Sequence, residues 1–159
     1  MDVKSRHHLR SDEIDELAAS LADRLGVDLD GDDYERVEFT DVDREVILVD
    51  GEPLVASFDG DRFLTVRGAN EYPPDRHVVT VDSGAISFVS DGADVMRPGI
   101  VEASDDIEPG DLAVVVEEQH GKALAVARAD AAGAEMVGDS GKVLENLHHV
   151  GDDLYEFRV

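Results

Sequence analysis

The chain contains no cysteine and no tryptophan, and lysine occurs only at positions 4, 122 and 142. Without cysteine, neither disulfide bonds nor thiolate-bound metal sites can form. No apolar run approaches the roughly 18 to 20 residues that span a bilayer. Residues 1–8 lack the apolar core of a signal peptide. These absences predict a cytoplasmic protein with no membrane partner.

Positive charge is also scarce. The 159 residues include 38 acidic and 14 basic side chains, for a net charge of −24. The imbalance covers the whole chain, with 21 acidic against 8 basic residues in positions 1–75 and 17 against 6 in positions 76–159. Uniform acidity with little lysine predicts a halophilic protein whose charges are screened by concentrated salt. Counterion release contributes little to RNA binding under such conditions, so the acidity argues only weakly against an RNA partner.

The first half has the pattern of a small α+β domain, predicted here as residues 1–74. Ser11 can cap a helix that ends at Gly26, and the apolar spacing between them is close to 3.6 residues. Short strands are predicted around 37–39, 45–49, 53–58 and 62–66, with Asp50-Gly51 and Asp59-Gly60 as hairpin turns. A stiff connector, Glu71–Asp75, follows.

The second half, predicted as a domain of residues 76–159, is mostly β. Strands are expected at Val78–Val81, Leu112–Val116 and Ala123–Ala127, with a short helix after Ser83. Lys142–His148 has a helical pattern, and Leu154–Arg158 is predicted to be a closing strand.

Catalytic and metal-binding patterns are incomplete. The acidic loop from Asp28 begins like an EF-hand, but position 6 is Asp33 instead of Gly and position 12 is Phe39 instead of Glu. The histidine pairs lack the spacing of zinc ligands. Neither a nucleophile elbow nor a phosphate-binding loop is present. We therefore predict that the protein is not an enzyme and carries neither a cofactor nor a metal.

The segment Val78–Val101 carries most of the functional signal. Asp82 and Ser83 can cap a helix, Gly84-Ala85 permits close backbone approach, and Arg97-Pro98-Gly99 makes a turn. Glycine and Pro-Gly at such positions are often purely conformational. The same geometry also suits an RNA contact, with backbone N–H groups facing phosphate or 2′-OH groups and Arg97 contacting a phosphate or a base. These residues alone leave both interpretations open.

Several ordered motifs extend this segment: Phe63–Arg67, Tyr72-Pro73, Val81–Val89, Gly92–Gly99, Gly141–His149 and Asp152–Phe157. Together they resemble a PUA domain, and more closely the malignant-T-cell-amplified-sequence family and its archaeal relatives. The resemblance is close over residues 62–159. The chain departs from the family pattern at Leu64, His149 and Tyr155, where the family usually has proline, tyrosine and tryptophan.

The resemblance implies an N-terminal α+β domain followed by a C-terminal mixed α/β PUA pseudo-barrel. It also implies a non-enzymatic RNA-binding function, with tRNA or ribosomal RNA bound on the small ribosomal subunit during initiation or recycling. A protein with an SUI1-like domain is the implied partner, and DNA is not expected. The implied RNA-binding residues are Asp82, Ser83, Gly84, Ala85, Arg97, Pro98 and Gly99, with Lys142 and Asn146 in the last helical segment. Two alternatives remain: an accessory RNA-binding subunit of a tRNA-modification enzyme, and a protein-interaction domain that has lost RNA contact.

Overall fold

A computed structural model describes residues 1–159 and contains eleven β-strands and four α-helices. The strands are β1 (Val3–His8), β2 (Tyr34–Phe39), β3 (Glu45–Val49), β4 (Glu52–Phe58), β5 (Asp61–Leu64), β6 (Val78–Val81), β7 (Val95–Met96), β8 (Ile100–Ala103), β9 (Leu112–Glu117), β10 (Ala123–Ala129) and β11 (Lys142–His149). The helices are α1 (Ser11–Leu25), α2 (Val66–Glu71), α3 (Ile86–Ser90) and α4 (Asp153–Glu156). None of the helices combines the length and apolar composition that crossing a membrane requires.

The first five strands form an antiparallel sheet in the order β1-β2-β3-β4-β5. Helix α1 buries Leu17, Leu21 and Leu25 and ends at Gly26, whose φ of 70° is left-handed as in a glycine C-cap. Both residues of Asp50-Gly51 have positive φ, as expected for a tight hairpin turn. The predicted helix and hairpins of this half are confirmed, but the helix cap is Arg10 and not Ser11, because Arg10 has extended backbone angles and its N–H is accepted by the Glu13 side chain.

Two elements of the first half differ from the sequence prediction. Strand β1 lacks an apolar alternation and is held at the edge of the sheet by pairing with β2, including a two-bond contact of Arg6 with Glu35 at 2.6 and 3.0 Å. The predicted strand over residues 62–66 ends at Leu64, because Thr65 accepts the N–H of Gly68 and begins α2. Gly68 is required there, since a Cβ would lie 2.0 Å from the Leu54 carbonyl oxygen.

The last six strands form a mixed, nearly closed pseudo-barrel in the order β7-β11-β10-β9-β6-β8. Strand β6 runs parallel to β9, and every other pairing is antiparallel. The predicted strands at residues 78–81, 112–116 and 123–127 are confirmed. The α+β fold class with a C-terminal pseudo-barrel is confirmed as well.

The end of the chain corrects two predictions. Lys142–His149 is not helical but is strand β11, because its backbone pairs with β10 on one side and β7 on the other. The predicted closing strand at residues 154–158 is instead the short helix α4. Asp152 begins this helix by accepting the N–H of Tyr155 at 2.8 Å. Apolar spacing does not distinguish the two structures in such short segments; the hydrogen-bond partners do.

Strand β9 joins the two sheets because both of its faces are buried. Leu112, Val114 and Val116 belong to a hydrophobic cluster that also contains α1 and the first sheet. Ala113 and Val115, on the opposite face, belong to the interior of the pseudo-barrel. The first sheet and the pseudo-barrel therefore share a continuous apolar contact.

Candidate nucleic-acid interface

The structure brings the two glycine-containing segments of the second half together. Asp82 accepts the N–H of Ala85 at 3.1 Å and donates its own N–H to the carbonyl of Gly99 at 2.9 Å. A Cβ at Gly99 would lie 3.0 Å from the Cβ of Ala85, tighter than most side-chain contacts. Residues 82–85 and 97–99 therefore form one structural unit.

A cavity of about 280 Å³ lies beside this unit. Six of the nine residues that line it are hydrophobic. The nine are Gly84, Ala85, Phe88, Val89, Ala93, Asp94, Val95, Met96 and Gly99. We call it the α3 cavity. Phe88 is 67% exposed and Met96 is 47% exposed, so large apolar side chains remain in solvent at its rim. Such a site can accept a flat apolar group such as an aromatic ring.

Phe88 and Met96 are site residues that the sequence patterns did not predict. The spacing of the apolar residues in α3 could have indicated that Phe88 is exposed. Ile86 and Val89 are three residues apart and share the buried side of the helix, whereas Phe88 is offset from Val89 by about 100°. An aromatic residue outside the buried stripe of a short helix indicates an exposed contact residue in a chain with only eight aromatic side chains.

The Arg97 side chain contacts the loop that precedes β11 and does not line the α3 cavity. Its Nε donates to the carbonyl of Glu135 at 2.9 Å, and its Nη1 donates to the carbonyl of Ser140 at 3.0 Å. A Cβ at Gly138 or Gly141 would lie about 3 Å from the Arg97 side chain. Arg97 thus holds the chain before β11 in place, and its contact with RNA stays a prediction.

Lys142 and Asn146 lie on β11, which corrects their predicted position in a helix. The Nζ of Lys142 lies 3.5 Å from Asp130 and 3.8 Å from Asp94, and the charge of Asp130, followed by that of Asp94, raises the pKa of this lysine. The Nδ2 of Asn146 donates to the carbonyls of Val89 and Ala93 at 3.0 Å each. Asn146 therefore fastens the end of α3 to β11, and both side chains support the wall of the cavity.

The electrostatic character of this site differs from that of a usual phosphate-binding groove. Lys142 is paired with carboxylates and Arg97 with carbonyl groups, while Asp82 and Asp94 lie at or beside the cavity. The site therefore offers an apolar surface and hydrogen-bonding groups but little unpaired positive charge.

Comparison with known proteins agrees with this geometry. The PUA domain model matches residues 77–151. An uncharacterized protein of Methanocaldococcus jannaschii is 44% identical over 117 residues, covering 73% of this chain and 72% of the relative. Translation machinery-associated protein 20 of Saccharomyces cerevisiae is 32% identical over 122 residues, covering 72% of this chain and 67% of the relative.

A crystal structure of a hypothetical protein from the archaeon Pyrococcus horikoshii superposes with a TM-score of 0.84 at 30% identity. The match covers 96% of this chain and 98% of that one, so it includes the N-terminal sheet. The pseudo-barrel and its two joined glycine-containing segments therefore define a PUA-domain protein. More specifically, the chain belongs to the family that includes translation machinery-associated protein 20 and the malignant-T-cell-amplified-sequence proteins.

Proposed function

We propose that this protein is a non-enzymatic RNA-binding factor of the translation machinery and that it binds RNA at the α3 cavity. The main support is the exposed pair Phe88 and Met96 at the rim of an apolar cavity beside residues 82–85. Unpaired RNA bases stack on exposed aromatic side chains, and such stacking contributes about 1 to 3 kcal/mol per base.

The finer part of the proposal concerns the biological partner. We propose that the RNA is tRNA or ribosomal RNA on the small ribosomal subunit, during initiation or recycling, in the cytoplasm of a halophilic archaeon. A protein with an SUI1-like domain is the proposed protein partner. The name of the yeast relative supports a role in translation. We further propose residues 1–74 and 76–159 as the two domains, in line with the separation of the two sheets.

The first test is RNA binding by Phe88→Ala. Fluorescence anisotropy with labelled tRNA and a labelled single-stranded pentanucleotide is measured in 0.5 to 2 M KCl. Loss of one stacking contact is expected to weaken binding at least about fivefold. Val42→Ala is the control, since Val42 is an exposed apolar residue in the first half of the chain. Wild-type protein that binds neither RNA, or full affinity in Phe88→Ala, would refute the proposal.

The second candidate is a protein-interaction domain that has lost RNA contact. It is favoured by the scarcity of unpaired positive charge at the α3 cavity, where Arg97 and Lys142 are already engaged. Sedimentation of the native protein through a high-salt gradient, followed by RNA crosslinking, separates the two. Migration with small subunits and crosslinks at residues 83–85 support RNA binding. Migration without crosslinked RNA supports the protein-interaction function.

A further inference from the structure

Most of the few cations in this chain are neutralised by carboxylates. Eight of the fourteen Lys and Arg side chains form ion pairs within 4.0 Å. The six that do not are Lys4, Arg44, Arg67, Arg97, Lys122 and Arg158. In a protein of net charge −24, a phosphate group is repelled by most of the surface, so these six positions are where an anion can bind.

Two of the six converge on one atom. The Nε of Arg67 and the Nη1 of Arg158 donate to the carbonyl oxygen of Tyr155, at 2.8 and 3.2 Å. Two guanidinium groups that share an acceptor lie close together and repel each other. No carboxylate forms an ion pair with either group to offset this repulsion, although α4 contains two acidic residues. An anion bound between them would provide the missing charge.

The Arg67 side chain is already oriented for such a contact. Its guanidinium carbon lies 4.3 Å from the centre of the Tyr155 ring, in a cation–π contact that leaves Nη1 and Nη2 free of protein partners. Arg158 is exposed and also donates to the carbonyl of Phe157 at 2.6 Å. A planar guanidinium with two free N–H groups matches a phosphate group in two parallel hydrogen bonds.

The backbone of a third unpaired cation lies beside α2. Lys122 is exposed and precedes Ala123, whose N–H donates to Asn70 on α2 at 2.8 Å. Asn70 follows Arg67 by three residues on that helix, so the two lie on one face. The remaining unpaired cations are placed less favourably. Arg97 is held by two carbonyls, and Lys4 and Arg44 line a cavity that four carboxylates share.

We propose that Arg67, Lys122 and Arg158 form a phosphate-binding surface for the backbone of the RNA, distinct from the α3 cavity. This inference rests on the proposed function. The two sites lie against opposite faces of β10, because α2 packs in the cluster with the first sheet and α3 packs in the pseudo-barrel interior. His149, at the end of β11, contacts elements next to both sites. Its Nδ1 lies 2.9 Å from the carbonyl of Ser90 at the end of α3, and its backbone N–H donates to Asp152 at the start of α4.

A ligand that contacts both sites must pass round the end of β11, and a folded RNA such as tRNA can do so with separate segments. A single-stranded pentanucleotide has few phosphates, and we expect its affinity to depend on base stacking in the α3 cavity. This difference separates the phosphate surface from the stacking site in one set of measurements.

The test compares Lys122→Gln/Arg158→Gln with the wild type, by fluorescence anisotropy over a range of KCl concentrations. Arg6→Gln is the matched control, because Arg6 is exposed but already paired with Glu35. The double variant should bind tRNA about tenfold more weakly than the wild type. The slope of log affinity against log salt concentration should decrease in magnitude by about 2. Arg6→Gln should match the wild type, and pentanucleotide affinity should not change in any of these variants. If the double variant binds tRNA like Arg6→Gln, the phosphate surface is refuted while a Phe88-dependent affinity still supports the proposed function.

A second probe tests the surface without RNA. Tripolyphosphate is titrated into ¹⁵N-labelled protein, and the Nε–H signals of Arg67 and Arg158 are followed by NMR. Shifts that saturate in the wild type, and an Arg67 shift that weakens in Lys122→Gln/Arg158→Gln, support the surface even if tRNA binding fails. If tripolyphosphate shifts neither Nε–H signal, the inference is overturned.

Discussion

His148 connects the two halves of the protein through a buried, neutral imidazole ring, and we predict that this makes stability depend on pH. The side chain is fully buried and stacks on Phe58 at a centroid distance of 6.0 Å. Its Nε2 accepts the N–H of Val66 at 3.1 Å, and its Nδ1 lies 2.9 and 3.0 Å from the carboxylate oxygens of Asp152. Because Nε2 accepts a backbone N–H, the proton of the neutral ring lies on Nδ1.

Burial lowers the pKa of His148, although Asp152 opposes this effect. The unfolded chain has an ordinary histidine pKa of about 6.5, so below that pH the unfolded state binds a proton that the folded state excludes. Stability is therefore greatest above about pH 6.5. It should fall by up to about 1.4 kcal/mol per pH unit as the pH decreases towards the lowered folded pKa.

Asp152 adds a second, more acidic transition. Burial would raise its pKa, but the hydrogen bond from His148 and those from the N–H groups of Tyr155 and His149 lower it from 3.8 to about 2. The lowered pKa of Asp152 adds to the free energy of unfolding above about pH 4, and this stabilisation is lost as the pH falls towards 2. It amounts to about 1 to 2 kcal/mol after allowance for partial exposure.

The assay is urea unfolding in KCl at pH 5.0 to 7.5, comparing the wild type with His148→Phe. At pH 7.5 we expect His148→Phe to lose about 2 to 4 kcal/mol, because the Val66 N–H is left unsatisfied and the bond to Asp152 is removed. This difference should shrink towards pH 5, since phenylalanine takes up no proton in either state. His7→Gln, at an exposed histidine, should keep the wild-type pH dependence. A wild-type advantage over His148→Phe that is constant across this range would refute the reasoning.

Two further predictions concern packing and charge. Gly133→Ala should destabilise the protein by about 2 kcal/mol or more in thermal unfolding, because its Cβ would lie 1.9 Å from the Ser104 carbonyl oxygen. Gly84→Ala should change stability by less than about 0.5 kcal/mol, since the nearest atom lies 3.4 Å away, and equal losses in the two variants would contradict the packing argument. The melting temperature should rise between 0.2 and 2 M KCl as screening weakens the repulsion among 38 acidic residues, and a salt-independent melting temperature would contradict the halophilic prediction.

Local signals in the sequence were sufficient for several elements. The apolar spacing of α1 and its end at Gly26, and the Asp-Gly pairs of the hairpins, depend on interactions within a few residues, so the sequence analysis predicted them correctly. The ordered motifs between Phe63 and Phe157 are sufficient to identify the PUA fold and its family.

Other features depend on residues far apart in the chain. Lys142–His149 has apolar residues that fit either a helix or a strand, and only its pairing with β10 and β7 makes it a strand. Arg97, from its residue type and the family resemblance, and Lys142, from the resemblance, were predicted as RNA contacts, yet their partners are carbonyls and carboxylates supplied by other segments. A side chain's availability depends on those partners, which spacing along the chain does not reveal.

The sequence by itself determined the fold family, the acidic surface and the segment beside which the α3 cavity forms. Only the tertiary structure determined which side chains remain available for a ligand. Phe88 and Met96 are exposed because no other element covers that side of α3. Arg67 and Arg158 converge because α2 meets Tyr155 of α4 across 88 residues of sequence. Local propensities act over a few residues, whereas exposure and unpaired charge depend on every element that packs nearby.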